Sequence, residues 1–458
     1  MDLRQLCGIM LLWAVGNVSA HAQTFNVADY GAVADGASYS TAAIQAALDD
    51  CHDKGGGTVL IPTGTYLTGS IRVYSHTRLQ LAPGATLLGS KRLEDYDEEH
   101  PHLIWGDSIE RFRLSGDGVI DGQGESFFDR SGRSWKAEKG ARPAPWILIT
   151  NSKDIQVEGV ELVHSPAHVL VFQKCKNVVV RGVSIRNDIR SPNTDGIDIK
   201  GCRQVLISDC FISTGDDAIC LKSAQDTVEQ VVVSDCILIS DDAAVKFGTG
   251  SRYPIRNCQF SNINISGTRY GIAFFMTQGG IFEHCQFSGI LIETGSRHKT
   301  EYPIYMDIDK RSVEQALGRI RDIDFSNVKI ITRGNILIGG QAGHPVSGIR
   351  FNGVTMALTE LTDLRAVSKK PRGNKSFLTL PGMEDFSAVP AHFTLGYVKD
   401  VKLEDIRISH QFGESPYQRH FFHFQEAEAI QLSGLQLPPE MRGRKKIHQK
   451  GEVSLTIE

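Results

Sequence analysis

The 458-residue sequence lacks several features that would assign it to a common functional class. Its N-terminal apolar stretch, Cys7 to Val15, is too short for a membrane span, which needs about 20 residues. No Cys-x-x-Cys pair or cluster of cysteine and histidine has the spacing of metal ligands. The net charge is only −4, from 49 basic and 53 acidic residues. Nothing in this balance indicates a nucleic-acid partner or an anionic membrane surface, and we expect a globular chain without a membrane span.

Residues 1–22 have the pattern of a secretory signal peptide. Arg4 lies in a short N-terminal region before the apolar stretch, and Ala20-His21-Ala22 forms a small-x-small cleavage site. We therefore expect a mature protein that begins near Gln23, is periplasmic or secreted, and is a monomer.

Eight cysteines remain beyond Cys7, and six of them recur at a fixed interval. Cys175 and Cys202, Cys210 and Cys236, and Cys258 and Cys285 are separated by 27, 26 and 27 residues. Equivalent positions in successive structural repeats would stack these side chains in a core, where a free cysteine behaves as a small hydrophobic residue. The spacing favours buried thiols over disulfides.

An internal repeat of 22–27 residues runs through the chain from about residue 111. Each unit has two short strands of alternating polarity joined by a Gly, Asn, Asp or Ser corner. Examples are QVLISDCFISTG (204–215), QVVVSDCILISD (230–241) and GIFEHCQFSGILIETG (280–295). Helical repeats lack this β-branched alternation, and the Leu/Asn pattern of leucine-rich repeats is absent. The repeat predicts an all-β fold, a right-handed parallel β-helix of about ten coils.

We expect one β-helix domain over residues 23–437 and a C-terminal tail or cap over residues 438–458. A helix over about residues 40–51 would cover the open N-terminal end of the stack. Longer inserts are expected at residues 94–104, 127–145, 297–317 and 358–393. The last contains a basic run, 369–375, that is either a solvated loop or a polymer contact.

The segment Ser191–Ser223 carries two acidic motifs, Asn193-Thr194-Asp195 and Gly215-Asp216-Asp217, one repeat apart. Turn chemistry could explain any single aspartate, but carboxylates are costly to bury between apolar strands. Aligning NTDGIDIKG with TGDDAICLKS places Asp195 over Asp217 and Lys200 over Lys222.

The next repeat places Asp241 and Asp242 in line with Asp216 and Asp217. Stacked carboxylates raise one another's pKa, so that one can stay protonated as an acid while others act as bases. Inverting glycoside hydrolysis needs such a set, with acid and base about 6.5–9.5 Å apart to admit a water.

With these motifs the chain resembles glycoside hydrolase family 28, the polygalacturonase family. The resemblance covers most of the mature chain, including FNVADYGAVADG, GDGVIDGQG (116–124) and PAHFTLGYVKDV (390–401). It implies that Asp216 is the general acid, and that Asp195 and Asp217 hold and activate the water. It also implies a pectic polysaccharide or oligosaccharide substrate and no metal or organic cofactor.

Two motifs of that family are missing. Ala243 stands where the histidine of Gly-His-Gly would fall. In the stretch where Arg-x-Lys would grip a uronate carboxylate, the sequence reads RYGIAFFMT, and only Arg269 could substitute. We therefore expect a rhamnogalacturonan-type or branched pectic substrate rather than plain homogalacturonan.

Further residues are candidates for substrate binding: Asn193, Lys222, His168, Lys246, Arg269 and Asp242. Lys222 and Lys246 either bind substrate or hold the aspartates, His168 is either a subsite or a structural residue, and Asp242 is either a supporting carboxylate or a turn residue. Two other functions stay open. A β-helix lyase or uronate epimerase would release an unsaturated product or change a sugar's configuration, and a carbohydrate-binding solenoid would bind without turnover.

Overall fold

A computed structural model describes residues 23–297, 301–310, 312–360, 383–384, 386, 389–411, 419–438 and 446–458. The signal-peptide prediction and the basic run 369–375 lie outside the described residues. One α-helix, Thr41–Asp53, precedes a continuous stack of parallel strands. Within the described ranges, no helix is both long and apolar enough to cross a membrane.

The strands stack on three faces, which we number 1 to 3 in chain order. Face 1 is built by Thr24–Asn26, Gly57–Ile61, Thr77–Leu81, Arg113–Gly116, Lys153–Glu158, Lys176–Arg181, Arg203–Ser208, Val228–Ser234 and Pro254–Ser261. Face 2 is built by Asp35–Tyr39, Gly64–Thr68, Ala85–Gly89, Val119–Asp121, Glu161–Val163, Ser184–Arg186, Phe211–Thr214, Ile237–Ser240 and Asn264–Thr268. Face 3 is built by Ile71–Arg72, Ile104–Asp107, Ile147–Thr150, Leu170–Gln173, Ile197–Lys200, Ile219–Lys222, Ala243–Phe247, Tyr270–Met276, Tyr302–Ile308 and Ile336–Gly339.

Later strands bend around a corner and serve more than one face. Ile281–Thr294, Arg319–Thr332 and Val346–Leu358 continue faces 1 and 2. Ala391–His410, His420–Ser433 and Ile447–Ile457 close the stack at its C-terminal end. Three 3-10 turns lie outside the faces, at Val27–Tyr30, Leu93–Asp95 and Gly124–Phe127.

This arrangement is the predicted right-handed parallel β-helix. Each strand pairs in parallel with the equivalent strand one coil later, as Lys176–Arg181 does with Arg203–Ser208. Within the described residues, the three C-terminal strands extend the ten strands of face 3 to thirteen, so the stack is longer than the roughly ten coils predicted. The additional coils include those before Arg113, which contain the strands Gly57–Ile61 and Thr77–Leu81.

The interior consists of ladders in which like side chains stack from coil to coil. Phe260, Phe287, Phe325 and Phe351 occupy equivalent positions, with successive ring centroids 4.8, 5.0 and 4.8 Å apart. Offset aromatic stacking adds to the free energy gained by burying each ring. Parallel pairing at about 4.8 Å between strands fixes this spacing.

The cysteines form ladders of the same kind. Cys258 pairs in register with Cys285, and Cys175 donates its backbone N–H to the Sγ of Cys202. All eight cysteines from Cys51 to Cys285 are buried and free. The predicted stack of buried thiols is confirmed.

The helix Thr41–Asp53 covers the N-terminal end of the interior. Ile44, Ala47, Leu48 and Cys51 recur every three or four residues along one helical stripe and are fully buried. That stripe packs over the first coil and shields its open edge from water, as a solenoid cap must. The predicted capping helix is therefore present.

Two segments that were expected to be an insert and a C-terminal tail or cap contain strands. The insert expected at residues 297–317 contains the fully buried face 3 strand Tyr302–Ile308. Pro303 and the flanking charges disguised this strand as a loop. In the C-terminal segment, Ile447–Ile457 adds a strand parallel to His420–Ser433.

Replacing one ring of the phenylalanine ladder tests this packing. Phe287 is 1% exposed and stacks on Phe260 and Phe325, so Phe287→Ala should lower the free energy of unfolding by about 3–5 kcal/mol. Guanidinium titration followed by circular dichroism measures the loss. The control Ile237→Ala removes a side chain that is 47% exposed and should shift stability by about 0.5 kcal/mol at most. Equal losses in both variants would contradict the ladder.

Candidate active site

The candidate site lies at the corner between faces 2 and 3. Asp195 precedes the face 3 strand Ile197–Lys200, and Asp216 and Asp217 precede the next one, Ile219–Lys222. The two strands pair with Ile197 opposite Ile219 and Lys200 opposite Lys222, which confirms the predicted register. Because apolar residues of these strands point into the core, the corner before them faces outward and carries the acidic side chains.

Four carboxylates converge at this corner. Oxygens of Asp195 and Asp217 lie within 4.8 Å of each other, and so do oxygens of Asp216, Asp217 and Asp242. Asp195 and Asp217 are almost fully buried, whereas Asp216 is partly exposed. So many carboxylates in one poorly hydrated place require either compensating cations or bound protons.

Two lysines compensate the negative charges of Asp195 and Asp198. Lys222 Nζ donates to Asp195 Oδ2 at 3.0 Å and to both oxygens of Asp198 at 3.2 Å. Lys200 Nζ lies 2.9 Å from Asp198 Oδ2. Burial opposes ionisation of Asp195, but His168 and Lys222 outweigh it and lower its pKa. Burial likewise opposes ionisation of Asp198, and the adjacent lysines lower its pKa well below the usual value.

His168 reaches the same two aspartates from the preceding coil. Its Nδ1 lies 3.0 Å from Asp198 Oδ2, and its Nε2 lies 3.7 Å from Asp195 Oδ1. Asp198 therefore orients both His168 and Lys222 beside Asp195.

Asp217 has a different environment. Lys246 Nζ donates to its Oδ2 at 2.6 Å, but burial outweighs this contact and raises the pKa of Asp217 to about 7. Its other oxygen, Oδ1, is buried and accepts no hydrogen bond from any residue that the structure describes. A buried acceptor without a partner is costly when the carboxyl is ionised, which agrees with the raised pKa of Asp217.

Asp216 also tends to keep its proton. Burial, reinforced by the negative charges of Asp195 and Asp217, raises its pKa well above the usual value. Its contact with Asn193, whose Nδ2 donates to Asp216 Oδ2 at 3.3 Å, is with a neutral group. Asn193 has a φ of 52°, a left-handed conformation that asparagine adopts more readily than most residues.

One alignment made from the sequence is wrong by one residue. The next face 3 strand pairs with Val245 opposite Ile219, so Asp242 follows Asp216 in the stack and Ala243 follows Asp217. The core decides this register, because Val245 and Phe247 must point inward above Ile219 and Leu221. Asp241 instead accepts from Arg297, with Nη2 at 2.6 Å.

Arg269 is near the site but is paired within the protein. Its Nη1 lies 3.1 Å from Asp242 Oδ1, and its guanidinium lies over the ring of Tyr270. Lys222 and Lys246, for which two roles were open, hold the aspartates. Contacts of these residues with substrate remain predictions.

Arg142 is a site residue that the sequence analysis missed. Its Nη1 donates to the carbonyl oxygens of Pro166 and Pro192 at 2.7 and 2.8 Å, and its Nη2 donates to Asn193 Oδ1 at 2.9 Å. It thereby fixes the loop that carries Asn193 next to Asp216. Because Arg142 lies in an insert without periodicity, no repeat pattern could have identified it.

Some of these side chains have a geometry that could hold a cation. Ligand atoms lie within 4.8 Å of one another in three groups: His168, Asp195 and Asp198; Asp195, Asp217 and Cys220; and Asp216, Asp217 and Asp242. In the first two groups, Nζ atoms of Lys222 and Lys246 already donate to carboxylate oxygens. The protein's own ammonium groups therefore neutralise these carboxylates.

Removing Lys222 should leave Asp195 and Asp198 without their shared cation. Breaking a buried ion pair on one side typically costs about 3–5 kcal/mol, so Lys222→Met should lower the free energy of unfolding at neutral pH by about this amount. The matched control is Lys399→Met, which removes an exposed lysine paired with Glu428 and should cost about 1 kcal/mol or less. Denaturant titration measures both. Indistinguishable losses would show that Lys222 does not compensate the buried aspartates.

The sequence and the fold are similar to those of known proteins. The chain is 31% identical over 230 residues to a probable polygalacturonase of Vitis vinifera, an alignment that spans 46% of each chain. It is 26% identical over 388 residues to a polygalacturonase of Chamaecyparis obtusa, covering 81% of this chain and 74% of that one. Among solved structures, the family 28 exopolygalacturonase of Yersinia enterocolitica shares the fold, with a TM-score of 0.68 at 19% identity over 90% of this chain and 78% of that one.

The sequence profile of glycosyl hydrolases family 28 matches residues 51–370. This range contains every carboxylate of the candidate site and most coils of the β-helix. The chain is therefore a glycoside hydrolase and belongs to glycosyl hydrolases family 28.

Proposed function

We propose that this protein hydrolyses a pectic polysaccharide or oligosaccharide with inversion, and that Asp195, Asp216 and Asp217 are its catalytic residues. The observation that carries the proposal is the opposite perturbation of adjacent carboxyls. The pKa of Asp216 is raised well above the usual value and that of Asp195 is lowered. Carboxyl groups whose environments separate their pKa values in this way can serve as acid and base at the same pH.

Asp216 is the general acid of this mechanism. Asp216 stays protonated at a pH at which Asp195 is ionised. Its partial exposure lets it reach the glycosidic oxygen of a bound chain. Proton transfer to that oxygen lets the leaving sugar depart as an alcohol rather than an alkoxide. Arg142 and Asn193 position the Asp216 carboxyl through the hydrogen bonds described above.

Asp195 and Asp217 hold the attacking water. Their oxygens lie within 4.8 Å of each other, so one water can donate to both at about 2.8 Å. The buried Oδ1 of Asp217 supplies an acceptor without another partner among the described residues. Asp195, kept ionised by Lys222 and His168, accepts the proton as the water attacks the anomeric carbon. A single displacement of this kind inverts the anomeric configuration.

The side chains beyond Asp217 support a rhamnogalacturonan-type or branched substrate. Ala243 follows Asp217, and Ala273, Tyr305 and Leu337 follow Lys246 on face 3. These buried side chains form an apolar wall beside Lys246, and we expect such a wall to suit the methyl group of a 6-deoxy sugar better than the carboxylate of a uronic acid. Arg269 forms an ion pair with Asp242, so its charge is already matched within the protein. The names of the relatives, polygalacturonases, support a pectic backbone.

The remaining expectations complete the proposal. We infer that the protein is exported through the signal peptide at residues 1–22 and acts as a monomer on its substrate outside the cytoplasm. Family membership weighs against the lyase, epimerase and pure binding functions. A product absorbing in the ultraviolet would indicate a lyase instead.

Neutralising each catalytic aspartate tests the assignment. Asp195→Asn, Asp216→Asn and Asp217→Asn should each lower kcat by about 10²–10⁴-fold, the usual contribution of a general acid or base, while circular dichroism stays unchanged. The control Asp226→Asn alters an exposed aspartate paired with Arg203 and should keep wild-type turnover. Near wild-type rates in all three site variants would refute the assignment.

The pH profile tests the cause of the raised Asp216 pKa. Activity needs Asp195 ionised and Asp216 protonated. The value of kcat/KM should therefore fall in acid as Asp195 becomes protonated, and in alkali as Asp216 loses its proton. The charge of Asp242 is one cause of the raised pKa of Asp216, so Asp242→Asn should move the alkaline limb to lower pH. An unchanged alkaline limb would show that another group controls it.

A product screen tests the substrate. We expect a higher kcat/KM on rhamnogalacturonan oligosaccharides than on oligogalacturonides of equal length, measured by chromatography of the products. Equal or faster cleavage of oligogalacturonides would contradict the role assigned to the apolar wall, while leaving the catalytic assignment intact.

A further inference from the structure

A cleft on face 1, away from the candidate active site, is lined by several cationic side chains. It has a volume of ≈ 760 Å³ and lies beside the N-terminal cap. Lys54, Arg78, Arg111 and Arg113 line it, and Asp154 is the carboxylate among its lining residues. We call it the basic cleft. It involves none of the residues of the catalytic corner.

Two of its arginines face each other across neighbouring coils. Arg78 and Arg113 are direct partners in register on face 1, and like charges placed directly opposite each other destabilise a sheet. Farther along the same face the pattern is reversed. Glu229 is opposite Arg256 and Glu283 is opposite Arg321, with ion pairs of 3.0 and 2.6 Å.

Lys54 is paired with Asp50 at 2.8 Å, but the three arginines of the basic cleft are poorly matched by the protein. Arg78 Nε donates to a neutral group, Ser115 Oγ, at 2.8 Å. Arg113 Nε is 3.9 Å from Glu158 Oε2, at the limit of an ion pair. Among the described residues, no carboxylate lies within 4.0 Å of Arg78 or Arg111. Guanidinium groups without a close carboxylate partner can donate N–H groups to an added carboxylate in a geometry that fits it.

We propose that the basic cleft is an accessory binding site for a carboxylated polysaccharide chain, separate from the catalytic site. Its shape favours a polymer, because Arg78 and Arg113 lie on consecutive coils about 4.8 Å apart, and Arg111 adds a third guanidinium beside them in the cleft. They would pair with successive carboxylates of one chain. Binding there would hold the enzyme on its polymer between cleavage events. The choice of a polyuronate as the anion rests on the proposed function.

The test compares two triple variants that change the charge equally. Arg78→Gln/Arg111→Gln/Arg113→Gln removes the cations of the basic cleft. The control, Arg186→Gln/Arg203→Gln/Lys399→Gln, removes exposed cations that each have a carboxylate partner. Affinity electrophoresis in gels containing polygalacturonate measures the dissociation constant, and turnover of a short oligosaccharide monitors the catalytic corner.

The cleft variant should bind polygalacturonate at least tenfold more weakly, with unchanged turnover of the short oligosaccharide, while the control binds as the wild type does. Wild-type binding should weaken with salt, since these exposed charges are screened, and should disappear on fully methyl-esterified polymer. Unchanged retention of the cleft variant would overturn the proposal. So would equal binding of wild type to the esterified polymer or preferential binding to DNA.

These outcomes are independent of the catalytic assignment. If the cleft variant loses binding while the aspartate variants keep turnover, the accessory site stands and the proposed catalytic residues fail. If the cleft variant keeps binding while the aspartate variants lose turnover, the accessory site fails and the proposed catalytic residues stand.

Discussion

The structure depends on stacking equivalent residues one coil apart, and this constraint acts on charged residues as strictly as on apolar ones. In the interior it produces ladders of phenylalanine and cysteine that bury like against like. At the corner between faces 2 and 3 it brings Asp195 and Asp217 within 4.8 Å. A corner that accumulates carboxylates must neutralise them, and the protein does so unevenly. Lys222 and Lys200 stabilise the ionised forms of Asp195 and Asp198, whereas Asp216 is left beside a neutral amide and takes a raised pKa.

This unequal compensation connects the fold to acid–base chemistry. The lysines come from the strands themselves, since Lys200 and Lys222 occupy the same outward position in successive coils. The pKa values of Asp216 and Asp195 are therefore shifted in opposite directions by the residues around them, and the proposed roles of acid and base rest on this difference. Arg142 adds a contribution from outside the repeat, by holding the loop of Asn193 against Asp216. The proposed substrate preference rests on other residues, because the coils beyond Asp217 carry Ala243 and aromatic residues.

Much of this could be predicted from the sequence, because a repeat makes position along the chain report position in space. The alignment of two motifs was enough to place Asp195 over Asp217 and Lys200 over Lys222. It failed for Asp241 and Asp242, where matching the acidic pairs conflicted with the inward positions of Val245 and Phe247, and the core determined the register. It also missed the strand Tyr302–Ile308, whose proline and charges resemble a loop, and Arg142, which lies in an insert that obeys no repeat.

The most direct test of the account asks whether Asp216 donates a proton to the leaving group. A substrate analogue with a nitrophenol leaving group needs no protonation to depart, so it separates the acid from the base. Asp216→Asn should cleave this analogue at a rate near that of the wild type, although it is slow on the natural glycoside. Asp195→Asn should be slow on both. Equal impairment of Asp216→Asn on the two substrates, or rescue of Asp195→Asn by the analogue, would contradict the assignment of acid and base.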